Sequence, residues 1–317
     1  MVRFMHRFTF YLQPRPPYNF DLTVHKPAGW PLFTPAEVFD EGALWTALHI
    51  DGQLTCLKLS SEGTIERPLV QAKVFLREKP SPDRKEAVRQ ALSCKLNITQ
   101  DLGAFYYRAR RDPILRHTVD NLYGMHDTDP ESLFANATLA LLFRTAPFQR
   151  NKEMIEYLTN NFGELAGFCG KKVRVWPTPE KIASLDVADL EKCGLGYRAK
   201  YIQQLAVALA SDSPSFEDLR QLPQNEARRR LLSLPGIGNY SADLINPHKG
   251  FPIDTWSAEV FGKLFFGHGR RDVRETIDDI RAEGLRRWGD YAWMAFLYIV
   301  HDLEGLSREL GISIATE

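Results

Sequence analysis

Leu231-Leu232-Ser233-Leu234-Pro235-Gly236-Ile237-Gly238-Asn239-Tyr240-Ser241-Ala242-Asp243-Leu244-Ile245 opens a stretch that closes on Pro252-Ile253-Asp254-Thr255-Trp256. Two glycines around Ile237, between apolar helix-like segments, spell a tight turn, because glycine accepts positive φ and close backbone approach. The second helix is expected from about Asn239. The unpaired N–H groups at a helix start, with the dipole behind them, favour an anionic oxygen such as a phosphate. Gly236, Gly238 and Asn239 are therefore candidates for contact with a nucleic-acid backbone, and Leu234 and Ile237 are expected to pack inward. An ordinary αα-hairpin turn reads the same way. Asp254 follows Gly236 by eighteen residues, a lone carboxylate behind Pro252 and ahead of Trp256. It can cap a helix beginning near Thr255 or serve chemistry, and the two roles are compatible.

Outward from this stretch, 317 residues suffice for two compact units. Apolar content of 44% and charged content of 25% are those of a globular chain. Forty Lys and Arg balance forty Asp and Glu, so attraction to a polyanion would have to come from a local basic face. Arg228-Arg229-Arg230 is one candidate. Arg270-Arg271 with Arg286-Arg287 is another, although Asp272, Glu275, Asp278, Asp279 and Glu283 interleave with it and fit a solvated helix face equally well. No apolar run approaches the roughly 18 residues of a membrane helix, and the N-terminus has no signal-peptide core; a cytoplasmic protein is expected. Cys56, Cys94, Cys169 and Cys193 show no pairing pattern and are expected as reduced, buried thiols.

The first hundred residues carry strand signals. Arg7–Leu12, Ala43–Ile50, Leu54–Leu59 and Val70–Leu76 run apolar or alternate, with turns at Asp51-Gly52 and Glu62-Gly63. From about residue 83 the periods become helical. Asp129-Pro130-Glu131 and Thr178-Pro179-Glu180 read as capped helix starts, and Val273–Arg287 repeats apolar residues at helical spacing.

Three further blocks stand in order around the hairpin: Phe134 to Gly163 with helix–loop–helix spacing, Cys193-Gly194-Leu195-Gly196-Tyr197-Arg198-Ala199-Lys200-Tyr201, and Trp288-Gly289-Asp290-Tyr291-Ala292. With LPGIGNYSAD and PIDTW they make the chain resemble the helix–hairpin–helix (HhH-GPD) DNA glycosylase superfamily over roughly residues 120–305, the 8-oxoguanine and 3-methyladenine-II enzymes in particular. The resemblance implies an α+β fold: an N-terminal antiparallel sheet domain with a following helix over 1–115, then a helical body over 116–317 holding the hairpin at 231–245 and a catalytic loop at 246–256. It implies that double-stranded DNA crosses the helical body of a monomer that flips a damaged base out of the stack.

Asp254 stands at the family's catalytic position, where a carboxylate stabilises positive charge growing on the deoxyribose and orients or deprotonates the attacking water. Bifunctional relatives place a Schiff-base lysine where this chain has Tyr240, and tyrosine cannot form that adduct; the departure implies hydrolysis without strand cutting. Tyr197 and Arg198 match positions that wedge into the duplex and hold the orphaned base, Arg150 matches a second such arginine, and Thr145 falls at the gap-filling position, where the 8-oxoguanine enzymes have asparagine. Lys249 is placed as a phosphate contact.

The base pocket is expected from Tyr240 and Trp256, then from Trp293, Tyr298 and His301 on the last long helix, whose spacing also fits a plain core helix. The carbonyls of Leu232, Leu234 and Ile237 match a structural cation site that takes no part in the chemistry. No cysteine follows Cys193, so the iron–sulfur loop of some relatives is not expected, and no catalytic cofactor is implied. The expected activity is monofunctional release of an alkylated purine, which electron-rich rings would hold by stacking and cation–π attraction. Release of 8-oxoguanine, hypoxanthine or uracil stands as an alternative. A non-catalytic sensor of damaged DNA is another, though Asp254 counts against it, since a carboxylate repels phosphates.

Overall fold

Alternation along three neighbouring strands builds the sheet. Val70, Ala72, Val74 and Leu76 share one face with Leu44, Leu48, Leu57 and Leu59, and all are buried together. The opposite parity sends Ala43, Trp45, Ala47, Leu54 and Cys56 to the other face, into a second cluster with Ala166, Phe168, Val173 and Val175. A sheet covered on both sides reads as near-continuous burial, which is what the central strands show.

The structure is a computed structural model that describes residues 4–27, 37–128, 132–143, 148–211, 216–246, 250–267, 273–311 and 313. Thr145, Lys249, Arg270-Arg271 and the expected helix start at Asp129-Pro130-Glu131 lie outside the described residues. In chain order the elements are β1 (His6–Leu12), α1 (Phe20–Val24), β2 (Val38–Asp40), β3 (Ala43–Ile50), β4 (Gln53–Ser61), β5 (Val70–Leu76), α2 (Pro82–Lys95), α3 (Gly103–Ala109), α4 (Leu115–Asn121), α5 (Leu133–Phe143), α6 (Phe148–Phe162), β6 (Leu165–Phe168) and β7 (Lys171–Arg174). Then come α7 (Pro179–Ala183), α8 (Val187–Glu191), α9 (Arg198–Ser211), α10 (Phe216–Gln221), α11 (Gln224–Leu232), α12 (Asn239–Ile245), α13 (Thr255–Phe266), α14 (Val273–Trp288), a 3₁₀ turn (Gly289–Tyr291), α15 (Ala292–His301) and α16 (Leu303–Leu310).

The five-stranded sheet has the order β1-β5-β4-β3-β2, and every adjacent pair is antiparallel. This is the expected α+β arrangement of an N-terminal antiparallel sheet followed by a helical body. One feature departs from the helical periods after residue 83: β6 and β7 form a second small sheet around a Cys169-Gly170 turn. Strands of four residues are too short to display a period. Thr178 caps α7 as expected, its hydroxyl accepting from the Lys181 N–H.

The thiols need a correction. All four are free, but only Cys56 and Cys193 are buried, where desolvation pushes them up to about 12 and about 11. Cys94 lies in the last turn of α2 and Cys169 at the β6–β7 tip, and both are exposed.

By internal packing the chain divides into two units drawn from separated segments: 1–102, 123–131 and 149–194 in the first, 103–122, 132–148 and 195–317 in the second. The sequence reading drew one boundary at 115/116. The chain passes between the units several times because α3 and α4 pack with the C-terminal helices: Tyr106 bonds Tyr298 hydroxyl to hydroxyl at 2.9 Å, and Trp288 donates to Asp112 at 3.0 Å. In the second unit α5 is buried nearly all round, with α9 and α12 against it. Among the described residues no helix is long and apolar enough to cross a membrane.

Candidate active site

The hairpin forms as α11, a turn over 233–238, and α12. Its two glycines do different work. Gly236 has φ +79°, and a Cβ there would lie 2.9 Å from Leu141 Cδ2 and 3.0 Å from Tyr201 Cβ. The turn is thus seated on α5 and α9 at a spacing only glycine permits. Gly238 is extended, with φ −105° and ψ −173°, and nothing lies within 4 Å of where its Cβ would be. Ile237 is buried and Leu234 half-buried, while Asn239 is exposed. The Leu234 carbonyl accepts the Ile237 N–H at 3.2 Å.

Asp254 is the N-cap of α13. Its Oδ1 accepts the Ser257 N–H at 2.8 Å and the Ser257 hydroxyl at 2.6 Å, and the Asp254 N–H donates to Ser257 Oγ at 2.8 Å. Such a reciprocal capping box fixes the side-chain rotamer. Among the described residues nothing bonds Oδ2, and Asp254 is half-buried. Among these residues the carboxylate therefore has one oxygen held and one unbonded. Tyr240 is half-buried nearby; burial first, and then the Asp254 charge, push its phenol above the ordinary value. It stays a neutral hydroxyl across the working pH range. Trp256, in the first turn of α13, is 41% exposed.

The remaining candidates on the last long helix part company. Trp293 is half-buried and stacks on Phe296 with ring centroids 5.9 Å apart. Tyr298 is 0% exposed, packs edge-on to Phe105 and bonds Tyr106. His301 is buried as well. Tyr298 and Trp293 thus pack against different aromatic partners. Tyr197 stands 59% exposed, with the Arg198 guanidinium 4.7 Å from its ring. Arg198 Nε donates to the Leu141 carbonyl at 3.2 Å. Arg150, in the first unit, donates to the Gly194 carbonyl at 2.7 Å and reaches Glu153 at 3.4 Å.

Two features escaped the sequence reading. Phe251 is fully buried among Phe261, Trp288 and Phe296. Asp243 is buried between Arg228 and Arg281. The signal for the second was present: an aspartate inside the apolar run Ala242-Asp243-Leu244-Ile245 needs a cationic partner. Of the Arg228-Arg229-Arg230 triplet only Arg228 turns inward, and Arg286 and Arg287 are both taken by Glu283.

The chain is similar to known proteins both in sequence and in fold. A model of the family described as "HhH-GPD superfamily base excision DNA repair protein" matches residues 146–283. The chain is similar to the DNA-3-methyladenine glycosylase of Bacillus subtilis (strain 168), 24% identical over 215 residues that cover 66% of this chain and 71% of that protein. It is also similar to a protein of Methanothermobacter thermautotrophicus named "Probable N-glycosylase/DNA lyase", 23% identical over 288 residues, 82% of this chain and 86% of the other. Among solved structures, the fold is that of a 3-methyladenine DNA-glycosylase from Archaeoglobus fulgidus, with TM-score 0.76, 21% identity, and coverage of 93% of this chain and 98% of that one. Residues 146–283 are thus similar to the HhH-GPD superfamily of base excision DNA repair proteins, and the fold as a whole is that of a solved glycosylase.

Proposed function

We propose that this chain is a monofunctional DNA N-glycosylase that flips an alkylated purine out of double-stranded DNA and hydrolyses its N-glycosidic bond, with Asp254 as the catalytic carboxylate. Glycosylase action on damaged bases belongs to the family as a whole; the finer reading is ours. It is carried by one observation: Asp254 is held through Oδ1 by its own helix cap while no described residue bonds Oδ2. A fixed, half-exposed carboxylate can stabilise an oxocarbenium-like sugar and accept a proton from the attacking water without reorganising.

Tyr240, in electrostatic reach of that carboxylate, has no amine with which to form a Schiff base. Hydrolysis should therefore stop at an abasic site. Tyr240 and the exposed ring of Trp256 offer π faces beside the carboxylate, and methylation at N3 or N7 gives a purine the positive charge that such faces attract. Tyr197 suits the wedge, because a large exposed aromatic can replace the lost stacking; Arg198 and Arg150 would hold the unpaired partner base. The open space at Gly238 leaves room for a phosphate to approach the turn. A structural cation would be held by the carbonyls of Leu232, Leu234 and Ile237. Neutral carbonyl oxygens suit hard cations, and the bond from Ile237 leaves the Leu234 oxygen one lone pair. That ion would supply charge to a phosphate contact. The working form is proposed as a monomer.

The test is a panel of duplexes, each with one 7-methylguanine, 3-methyladenine analogue, hypoxanthine, uracil or 8-oxoguanine. Alkali-dependent strand cleavage is expected for the alkylated purines, with no cleavage before alkali and no covalent adduct on borohydride trapping. An adduct, or cleavage without alkali, overturns the monofunctional reading, and release confined to 8-oxoguanine or a deaminated base overturns the substrate.

A further inference from the structure

Asp243 lies in the interior of α12 with its side chain 4% exposed. A buried carboxylate is costly unless every oxygen is paired, and here each is. Oδ1 accepts Arg228 Nε at 3.1 Å, and Oδ2 accepts Arg281 Nε at 2.8 Å and Nη2 at 2.7 Å. Arg228 also donates to Asn239 Oδ1 at 2.9 Å. One side chain thus ties α11 and α14 to the second helix of the hairpin.

The same residue meets the chain that leads to Asp254. Its carbonyl accepts the Gly250 N–H at 3.3 Å. A Cβ at Gly250 would fall 3.0 Å from Asp243 Cβ, 3.1 Å from Cγ and 3.2 Å from Oδ1, so the Gly250 backbone rests directly on the carboxylate. Four residues further on stands Asp254. Between them Phe251 is locked in the aromatic cluster, with Pro252 and Ile253 also buried. Whatever sets Gly250 is relayed through a short, packed segment.

We propose that Asp243 is a positioning residue for Asp254: held by Arg228 and Arg281, it fixes where the segment 250–254 delivers the reacting carboxylate. The capping box sets the rotamer of Asp254 on α13, but not the path by which the chain reaches it. Buried ion pairs add little net stability compared with apolar packing, so the contribution of this one is geometric. The proposal rests on the reading of Asp254 as the catalytic carboxylate. Displacing a reacting group by about 1 Å can cost up to about 10²-fold in rate, which sets the scale.

The test uses the full chain and Asp243→Asn. Single-turnover release from duplex DNA methylated with dimethyl sulfate should slow about tenfold, with DNA affinity within about threefold of wild type. Amide hydrogen exchange over 250–257 should quicken while exchange in α5 does not. Gly250→Ala presses on the same contact from the other side and should give the same pattern, and the double variant should be no slower than the slower single one. Unchanged exchange over 250–257 overturns the proposal, as does exchange that rises equally throughout the chain. If Asp243→Asn does not fold, Arg281→Lys keeps the charge, loses the two-N–H grip, and is held to the same outcomes. Asp254→Asn separates the two ideas. If that variant keeps full activity the catalytic reading falls, and exchange alone then decides whether Asp243 holds the segment.

Discussion

Asp243 and Asp254 sit at either end of one loop and are wired in opposite ways. Asp243 is buried, its two oxygens shared between two guanidinium groups. Asp254 is half-buried, with one oxygen tied to Ser257 and the other bonded by no described residue. The residue type is the same; saturation differs. A saturated carboxylate resists movement, and so suits holding a frame. An unsaturated one keeps a lone pair for a substrate. On the proposed reading, reactivity follows from the bond left unmade.

The sharpest way to break this contrast is Asp254→Asn. Asparagine caps helices about as well as aspartate, so folding and Tm should be preserved while base release falls by about 10²-fold or more. Asp254→Ala should lose the same activity and, in addition, about 1 kcal/mol of stability by urea unfolding. Asp243→Ala inverts the pattern, with stability as the main loss. Breaking a fully buried pair costs about 3–5 kcal/mol. Arg228 and Arg281 keep 27% and 33% of their side-chain exposure, so solvent screening reduces the expectation to about 2–3 kcal/mol.

The backbone repeats the contrast at the hairpin. Gly236→Ala must place a side chain at φ +79° against Leu141 and Tyr201, and should cost about 1–3 kcal/mol. Gly238→Ala meets open space and should change stability by less than about 0.5 kcal/mol while weakening duplex binding in a titration.

The smallest effect belongs to Glu283, which also serves two arginines but at the surface, with Arg286 and Arg287 donating at 2.6–2.7 Å. Those bonds, Arg286 first, hold its carboxyl at about 2, below the ordinary 4.5. The stabilisation is therefore full above pH 4.5 and is lost as the pH falls toward 2. Glu283→Gln should cost under about 1 kcal/mol at pH 7, and its thermal midpoint should converge on wild type as acid is added. A Glu283 effect as large as that of Asp243 would show that burial is not what separates them.

Much of this was legible because it is local. Strand parity from 43 to 76, the cap at Thr178 and the turn at 236 each depend on residues a few positions apart. The 250–254 segment was opaque for the opposite reason. Its anchors, Arg228, Arg281 and the ring of Trp288, lie 15 to 38 residues from the groups they touch, and no periodicity reports such partners. The last long helix was ambiguous in a third way. Trp293 and Tyr298 look alike in sequence, but one stacks on Phe296 and the other bonds Tyr106, a choice made by neighbours more than a hundred residues upstream in the second case.

Gly236 rests on Leu141 and Tyr201, and Arg198 donates to the Leu141 carbonyl. The tip of the turn and the aromatic at 197 consequently rest on one pair of packed helices, α5 and α9. The reach from that tip to the ring of Tyr197 is therefore set by how α5 and α9 pack, and not by the loops that carry either one.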